Sequence, residues 1–470
     1  MTQEIECRQQ QINLSHKYCI IGAGPSGLVS AKNLNAAGIP CEVLERHSKL
    51  GGIWNISSPW SSVYESTHTI TSKAVTAYTD FPLPDDYPIY PHHTQILDYL
   101  NQYATHFDLH KLIRFNQKVV KITKDGDYWT VAVKGGEVRR YRGVIIANGH
   151  NWCPNYPHFP GEFSGNTLHS KDYDNPEKFR GKRVLIVGGG NTGCDIAVEA
   201  SNIASKTFLS LRRGYYFVPK FAFGKPTDQI GQSSQSSRLP LGLVRAGYRL
   251  LLWLAVGRPQ SYGLPKPDHQ LLESPPIVNS LLPYHVAHGK ITVKPDVEQL
   301  KGNTIQFQDG SIEEIDTVVY ATGYRVVFPF IDKEHLNEKK GKPDFFMMAF
   351  HPTYNNLFIA GLTDGTGGHF PTVDVQTQVI ACFIRGIEDS SKAAQQIEAL
   401  KKNGNLDFTR GINFIDSDRS FTQFELATYV RYMKKMLCKL SRSEKAQRKT
   451  DEEKERGIEV TLSSPNSFKS

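Results

Sequence analysis

The amino-acid sequence predicts an α/β protein, because one pattern of strand, glycine-rich turn, helix and strand occurs twice. The pattern spans residues 18–45 and returns over residues 183–211. In both places a short apolar run, typical of a buried strand, leads through the turn into a segment with helical periodicity. The chain is 470 residues long, which exceeds what one hydrophobic core usually holds. We therefore expect two Rossmann-like domains, one for each copy of the pattern.

The first glycine-rich turn, residues 22–27 (G-A-G-P-S-G), has the spacing of a dinucleotide-binding loop. Gly22 permits the tight turn, Gly24 lets the backbone approach a pyrophosphate, and Gly27 lets helix and strand pack closely. The free amides at the start of the helix attract the phosphates. Glu45 ends the second strand, where an acid is expected to bind ribose hydroxyls. Strand, turn, helix and acid together make the prediction specific.

The second turn, residues 188–193 (G-G-G-N-T-G), lies in the same position between strand and helix. Its second strand ends in Arg212 and Arg213 instead of an acid. Arginines there pair with a 2′-phosphate, whereas a carboxylate repels it. The second site is therefore predicted to prefer NADPH to NADH.

Composition excludes several other classes of protein. The net charge of the chain is +8, and the basic residues are scattered along the sequence, which disfavours nucleic-acid binding. The seven cysteines include no Cys-x-x-Cys pair, which argues against a disulfide reductase and favours a reducing compartment. Residues 1–17 are polar and no run reaches the ~20 apolar residues that span a bilayer. The sequence shows no metal-ligand cluster, so no metal is expected.

Residues 163–173 carry the pattern F-x-G-x-x-x-H-x-x-x-Y directly before the second glycine-rich turn. This pattern closely resembles the fingerprint of the flavin-containing monooxygenases, single-component enzymes that oxygenate nitrogen and sulfur. The resemblance runs from about Tyr18 to about Ile384. Further segments agree with it: 50–54 (L-G-G-I-W), 81–87 (F-P-L-P-D-D-Y), 321–324 (A-T-G-Y) and 374–376 (D-V-Q).

The resemblance implies FAD at the first turn and NADPH at the second. The residues it assigns to FAD are Gly22, Gly24, Pro25, Ser26, Gly27, Glu45, Arg46, Gly52, Trp54, His68, Thr69, Val119, Asn148, Gly149, Asp364 and Gln376. The residues it assigns to NADPH are Tyr173, Gly188, Gly190, Asn191, Thr192, Gly193, Arg212, Arg213, Ala321, Thr322, Gly323 and Tyr324.

The resemblance also implies a mechanism and a domain order. NADPH reduces FAD, the reduced flavin forms a hydroperoxide with dioxygen, and a nucleophilic nitrogen or sulfur of a small molecule takes one oxygen atom. The cofactor carries the chemistry, so the protein needs no catalytic triad. The FAD domain is expected to be split over 1–175 and 326–440, with the NADPH domain inserted at 176–325 and a charged tail at 441–470.

Two positions depart from the family pattern, and both are candidate catalytic residues. Ile70 stands where amine- and sulfide-oxygenating members usually carry Asn, and Asn148 stands where they usually carry Thr. Loss of the Asn amide leaves other functions open: a Baeyer–Villiger or decarboxylating oxygenase, an NADPH oxidase that releases hydrogen peroxide, or a non-enzymatic flavin-bound redox sensor. Tyr173 argues against the Baeyer–Villiger type, which typically has Trp there.

The remaining expectations concern the cellular location of the protein and its partners. The sequence favours a cytoplasmic protein. The apolar helix predicted at 241–256, together with the basic charge, is also compatible with peripheral contact with a membrane. Dioxygen and a small molecule are the expected partners, nucleic acid is not, and a homodimer is compatible with the sequence.

Overall fold

The computed structural model describes residues 11–230, 239–365, 367–404, 406–417 and 420–443. The predicted tail lies outside these residues from 444 onward. The strands are β1 (Gln11–Ile21), β2 (Cys41–Leu44), β3 (Ile113–Arg114), β4 (Val119–Asp125), β5 (Tyr128–Val133), β6 (Val138–Ile146), β7 (Cys153–Pro154), β8 (Gly161–Phe163), β9 (Asn166–His169), β10 (Arg183–Val187), β11 (Lys206–Ser210), β12 (Phe217–Val218), β13 (Phe221–Ala222), β14 (Lys225–Pro226), β15 (Ile277–Val278), β16 (Ile291–Lys294), β17 (Val297–Gly302), β18 (Thr304–Phe307), β19 (Ile312–Glu314), β20 (Thr317–Tyr320), β21 (Tyr324–Arg325) and β22 (Leu357–Ile359). The α-helices are α1 (Pro25–Ala36), α2 (Lys73–Thr76), α3 (His93–His106), α4 (Asn191–Ala200), α5 (Leu241–Ala255), α6 (Leu282–Ala287), α7 (His369–Glu388) and α8 (Lys392–Asn403), and residues 426–443 are also helical.

The first copy of the predicted pattern forms β1, α1 and β2 of a seven-stranded sheet. Its order is β3-β2-β1-β6-β5-β4, and β22 also pairs with β6. Ile20 of β1 lies opposite Val43 of β2 and Ile145 of β6 in parallel register, and all three side chains are fully buried. Strands buried on both faces read as continuous apolar runs, which is why the sequence shows no alternation here.

The second copy forms β10, α4 and β11 of a five-stranded sheet of order β16-β11-β10-β20-β9. Every pairing in this sheet is parallel. Ile186 of β10 lies between Leu209 of β11 and Val319 of β20. The fold class with two Rossmann-like units is confirmed.

Two segments cross between the sheets, and they lie side by side. After β6 the chain runs into β7, and β7 pairs antiparallel with β21, which follows the second sheet. The following strands β8 and β9 already pair with β17 and β20. We therefore propose that the domains meet near residues 154 and 325, so that residues 161–175 belong to the second domain.

Helix α5 covers residues 241–255 of the predicted apolar helix and has two apolar sides. Tyr248, Leu251 and Leu252 face a chamber described below. Leu250 and Trp253 are exposed. Within the described ranges, no helix has both the length and the apolar character needed to cross a membrane. Peripheral membrane contact through this helix stays a prediction.

A buried polar network joins helices α1 and α7 behind the first turn. Asp374 of α7 is fully buried, and its carboxylate accepts a hydrogen bond from Asn33 Nδ2 at 3.0 Å and pairs with Lys32 Nζ at 3.3 Å. Thr79 donates its backbone amide to the same carboxylate. Burial opposes ionisation, but the hydrogen bonds from Thr79 and Asn33 and the nearby Lys32 hold the pKa of Asp374 below its usual value.

Replacing this carboxylate is expected to loosen the first domain. Asp374→Ala leaves the buried Lys32 and Asn33 groups without their partner, at a cost of about 3 kcal/mol. Thermal unfolding followed by circular dichroism should show a lower midpoint. Asp389→Ala, which removes an exposed carboxylate after the same helix, serves as the control. Equal midpoints for the two variants would contradict the structural role of the network.

Candidate functional site

The first glycine-rich turn leaves no room for side chains on its packing side. Gly22 has φ +104°, and a Cβ atom there would lie 2.7 Å from the carbonyl oxygen of Ala147. At Gly27 a Cβ atom would lie 1.8 Å from the carbonyl oxygen of Gly22. Gly24 is the N-cap of α1. The turn therefore presents bare backbone and a helix start, which is the cradle that a pyrophosphate needs.

Glu45 lies at the edge of this cradle. Its carboxylate accepts hydrogen bonds from Ala23 N at 2.7 Å and from His47 N at 2.8 Å. These bonds fix the acid beside the turn, and a carboxylate has about four lone-pair sites, which leaves acceptor capacity for ribose hydroxyls. The position matches the role that the sequence predicts.

The turn opens into an elongated cavity of about 430 Å³. The structure brings most of the residues assigned to FAD to its walls. These are Gly22, Gly24, Pro25, Ser26, Glu45, Arg46, Gly52, Trp54, Thr69, Val119, Asn148, Gly149 and Asp364. The lining also includes residues that sequence reasoning missed: Trp60, Gln117, Lys118, His150, Trp152, Gly361, Thr363, His369 and Phe370. They come from separate loops, and no local motif marks them.

Three of the residues assigned to FAD lie outside the cavity wall. Gly27 packs beneath the turn. His68 is exposed, with its ring edge-on to His92 at 4.9 Å between centroids. Gln376 is fully buried: its Oε1 accepts from Gly361 N at 2.9 Å, and its Nε2 donates to Tyr429 Oη at 2.8 Å. Gln376 therefore does not line the cavity itself. It holds the backbone of Gly361, which does line the cavity.

Arg46 is held between two tryptophans at the end of the cavity near Glu45. Its guanidinium carbon lies 4.1 Å from the ring centroid of Trp60 and 4.4 Å from that of Trp152. Burial lowers the pKa of Arg46 to about 10, and Glu45 partly opposes this effect. A planar cation fixed between aromatic faces can still present the N–H donors at its edge to a nucleotide.

The second glycine-rich turn repeats the geometry of the first. Gly188 has φ +120°, and a Cβ atom there would lie 2.4 Å from the carbonyl oxygen of Ala321. At Gly193 a Cβ atom would lie 2.1 Å from the carbonyl oxygen of Gly188. Gly190 is the N-cap of α4 and has open space around its Cα. The turn and helix start fit the pyrophosphate of a second dinucleotide.

The side chains around the second turn also fit a phosphorylated ligand. Arg212 is exposed, whereas Arg213 Nε is buried, has no hydrogen-bond partner among the described residues, and lies 3.9 Å from Asp268. The guanidinium of Arg212 is therefore accessible to a 2′-phosphate. Thr192 lies in the first turn of α4, and Asn191 beside it accepts a hydrogen bond from Val278 N at 2.7 Å.

The F-x-G-x-x-x-H-x-x-x-Y segment, residues 163–173, bonds to the crossing segment that follows β20. His169 is fully buried, and its Nε2 donates to the carbonyl of Gly323 at 3.1 Å while its Nδ1 accepts from Lys171 N at 3.1 Å. Burial lowers the pKa of His169, which favours the neutral ring that this bonding pattern requires. The ring of Tyr324 packs edge-on against His169. Thr322 donates its hydroxyl to the carbonyl of Asn155.

Tyr173 belongs to the core of the second domain. Its hydroxyl donates to the carboxylate of Glu199 in α4, and its ring stacks on Phe179 at 5.6 Å between centroids. Tyr64, which precedes Ile70 in the chain, packs its ring edge-on against that of Tyr173. Its hydroxyl donates a hydrogen bond to Asp195 Oδ2 at 3.2 Å. Tyr64 therefore joins the segment before Ile70 to α4, whereas Tyr173, which the resemblance assigns to NADPH, lines neither the flavin cavity nor the apolar chamber described below.

Ile70 stands where the flavin cavity meets a second, largely apolar chamber of about 210 Å³. Ile70, Thr71, Gly365 and Gly367 line both spaces. Ile70 is 45% exposed, so its side chain is accessible where the two spaces meet. The chamber wall also includes Asn191 of the second turn, so both cofactor turns lead to the same place. Asn148 lines the flavin cavity and donates to the carbonyl of Val327 at 3.1 Å.

Comparison with known proteins shows the family of the chain. A model of the family "Flavin-binding monooxygenase-like" matches residues 15–445. The chain belongs to this family. Dimethylaniline monooxygenase [N-oxide-forming] 2 of Oryctolagus cuniculus is 32% identical over 416 residues, which are 83% of this chain and 78% of that protein. Flavin-containing monooxygenase 1 of Homo sapiens is 34% identical over 420 residues, with coverage of 83% and 78%.

Solved structures of flavin monooxygenases share the fold. The S-allyl-L-cysteine S-oxygenase of Allium sativum has a TM-score of 0.62 at 20% identity and covers 90% of this chain and 89% of its own. Cyclohexanone monooxygenase from Rhodococcus sp. Phi1, bound to NADP+, has a TM-score of 0.66 at 17% identity, with coverage of 92% and 99%. As a member of the flavin-binding monooxygenase-like family the protein is an oxidoreductase, and its two turns fit the expected FAD and NADPH.

Substitutions at two glycines of the second turn distinguish an effect on folding from an effect on cofactor binding. Gly193→Ala forces a methyl group onto the Gly188 carbonyl and should lower the thermal midpoint. Gly190→Ala meets no atom within 4 Å, so the fold should be kept. Its methyl group blocks the close approach of a pyrophosphate, so the KM for NADPH should rise about tenfold, which corresponds to about 1.4 kcal/mol. Unchanged NADPH kinetics in Gly190→Ala would contradict the assignment of this turn.

Proposed function

We propose that the protein is an NADPH-dependent flavin monooxygenase that oxygenates a nucleophilic nitrogen or sulfur of a small molecule. One observation carries the proposal: the flavin cavity and the apolar chamber meet at Ile70, and Asn191 of the second turn lines the same chamber. Only a reaction that combines both dinucleotides with a small ligand needs all three spaces in contact.

The residues present fit the two cofactors. The cradle at Gly22 to Gly27, the Glu45 carboxylate and the Arg46 guanidinium would hold FAD. The cradle at Gly188 to Gly193 would hold NADPH, with Arg212 at its phosphate end. Bound FAD supplies the redox chemistry, since it accepts a hydride from NADPH and activates dioxygen.

The protein contributes orientation and exclusion of water. The chamber wall is formed mostly by apolar side chains, including Val218, Leu251, Leu252, Leu271 and Leu272. Such a wall suits an uncharged reacting nitrogen or sulfur and keeps water from competing with it. The overall reaction consumes NADPH, a proton, dioxygen and the substrate, and it yields NADP+, water and the N- or S-oxide.

Ile70 supports a second candidate, an NADPH oxidase that releases hydrogen peroxide. Isoleucine offers no hydrogen-bond donor at the junction, so the activated oxygen lacks the amide that the resemblance leads one to expect there. The two candidates differ in the fate of oxygen: the monooxygenase places one atom in the product, whereas the oxidase returns both as peroxide.

The coupling of NADPH oxidation to product formation separates these candidates. With N,N-dimethylaniline as substrate, we expect N-oxide to account for most of the NADPH consumed, with hydrogen peroxide as the minor product. Ile70→Asn should raise the ratio of N-oxide to peroxide, and Ile70→Val should leave it unchanged. Stoichiometric peroxide with no N-oxide from any amine or sulfide would overturn the monooxygenase proposal.

Replacement of both arginines tests the choice of nicotinamide cofactor. Charge-assisted hydrogen bonds contribute about 1.5–3 kcal/mol each, so Arg212→Ser with Arg213→Ser should lower kcat/KM for NADPH by about a hundredfold to ten-thousandfold. The value for NADH, which lacks the phosphate, should change little. Arg180→Ser, at an exposed arginine paired with Glu177, is the control. Equal losses with both nucleotides would argue against a 2′-phosphate site.

A further inference from the structure

An open groove of about 1030 Å³ lies between the start of α5 and the helix formed by residues 426–443. Leu239, Pro240 and Leu241 line one side of it, and one face of that helix lines the other. The groove shares no described lining residue with the flavin cavity or with the apolar chamber. The proposed oxygenation does not use this space, which we call the basic groove.

The helix over residues 426–443 has one apolar and one cationic face. Tyr429, Met433 and Leu440 are buried in the core of the first domain. Side chains three and four residues apart lie on the same face of a helix, and this spacing brings five cations together. All five are exposed and line the basic groove: Arg431, Lys434, Lys435, Lys439 and Arg442. The helix contains no Asp or Glu that could balance them.

These five cations have no acidic partner. Among the residues that the structure describes, no carboxylate lies within ion-pair distance of any of them. The carboxylate that lines the groove, that of Glu425, is paired instead with Arg410 at 3.6 Å. Like charges three and four residues apart on a helix repel each other. A bound anion would relieve this repulsion.

Apolar side chains line the groove beside the cations. Leu241, Ala427 and Val430 are half-buried there. None of the described residues that line the groove is aromatic, so it offers no ring on which a nucleobase could stack. The lining runs along the helix from residue 427 to residue 442, which is about 22 Å at the helical rise per residue. An extended alkyl chain fits along such a length.

We propose that the basic groove binds an amphiphilic anion, a fatty acid with one carboxylate and a long alkyl chain. The carboxylate would pair with the cations of the helix, and the chain would lie along the apolar side chains. Lysine and arginine suit this role because their aliphatic stems cover apolar surface while their charged ends reach the anion. A concave space also suits a single molecule better than the surface of a bilayer. The inference does not depend on the proposed oxygenation.

A series of amphiphiles tests whether both the charge and the chain are recognised. Laurate, below its micelle concentration, is titrated into the FAD-loaded protein in a calorimeter. We expect saturable binding that weakens as the chain is shortened to decanoate and then to hexanoate. Dodecyltrimethylammonium has a chain of the same length and the opposite charge, and it should bind about tenfold more weakly or worse. Equal affinities for the two charges would overturn the inference.

Two triple variants with the same net charge test the location. Glutamine keeps the helix propensity of lysine but removes its charge, so replacement of three lysines in the groove should weaken laurate binding by about tenfold or more. The control replaces three exposed lysines outside the groove. Equal laurate affinities in the two variants would contradict the assignment. The groove variant is Lys434→Gln, Lys435→Gln and Lys439→Gln, and the control is Lys206→Gln, Lys290→Gln and Lys392→Gln.

Cys438 reports directly on occupation of the groove, because its exposed thiol is part of the lining. Saturating laurate should slow the alkylation of Cys438 by iodoacetamide, measured by peptide mass spectrometry. The half-buried Cys153, which lies outside the groove, should react at an unchanged rate. An unchanged rate at Cys438 would mean that laurate binds elsewhere, and it would overturn the inference.

Other anionic occupants give different results in the same protein. Co-sedimentation with phosphatidylglycerol vesicles without saturable binding of laurate would assign the cationic face to a bilayer and overturn the inference. Tighter binding of inositol hexakisphosphate than of laurate, lost in the groove variant, would assign the groove to polyphosphates and also overturn it. Neither result concerns NADPH oxidation or product formation, so the proposed function would stand.

Discussion

Each cofactor turn packs its first glycine against the backbone of a segment that crosses between the domains. A Cβ atom at Gly22 would lie 2.7 Å from the Ala147 carbonyl oxygen, and one at Gly188 would lie 2.4 Å from that of Ala321. Both contacts exist only because glycine has no side chain and tolerates positive φ. The two crossing segments are therefore in direct contact with the two cofactor cradles, and the rest of the active site depends on this arrangement.

Further contacts keep the crossing segments in place. His169 donates to Gly323, and β7 pairs with β21. Tyr64 and Tyr173 reach the carboxylates of Asp195 and Glu199 on α4, the helix that begins at the second turn. Movement of one domain relative to the other would break the hydrogen bond from Tyr64, which precedes the first crossing, to Asp195 on α4. This bond favours one relative position of the flavin cavity and the second turn.

The sequence predicts the parts of this structure that depend on local patterns. Buried strands are continuous apolar runs, glycine spacing follows from the geometry of one turn, and the positions of Glu45 and Arg213 follow from the ends of neighbouring strands. These features need no information about distant residues. The resemblance assigns Gln376 to FAD, but the side chain lies behind the cavity wall, since its amide is bonded to Gly361 and Tyr429.

Features made by distant loops could not be predicted. Trp60 and Trp152 both contact Arg46, and no spacing along the chain indicates these contacts. The pairing of β9 with β20 likewise depends on tertiary packing, because a short strand does not specify its sheet.

Anaerobic mixing of the FAD-loaded protein with NADPH tests most directly whether the two cradles meet at one junction. NADPH is labelled with deuterium on one or the other face of the nicotinamide, and flavin absorbance is followed during a single turnover. The structure predicts that the flavin is bleached, and that the label slows bleaching on one face only, because a fixed geometry presents one face. Absence of bleaching, or equal rates with both labelled forms and with unlabelled NADPH, would contradict the account.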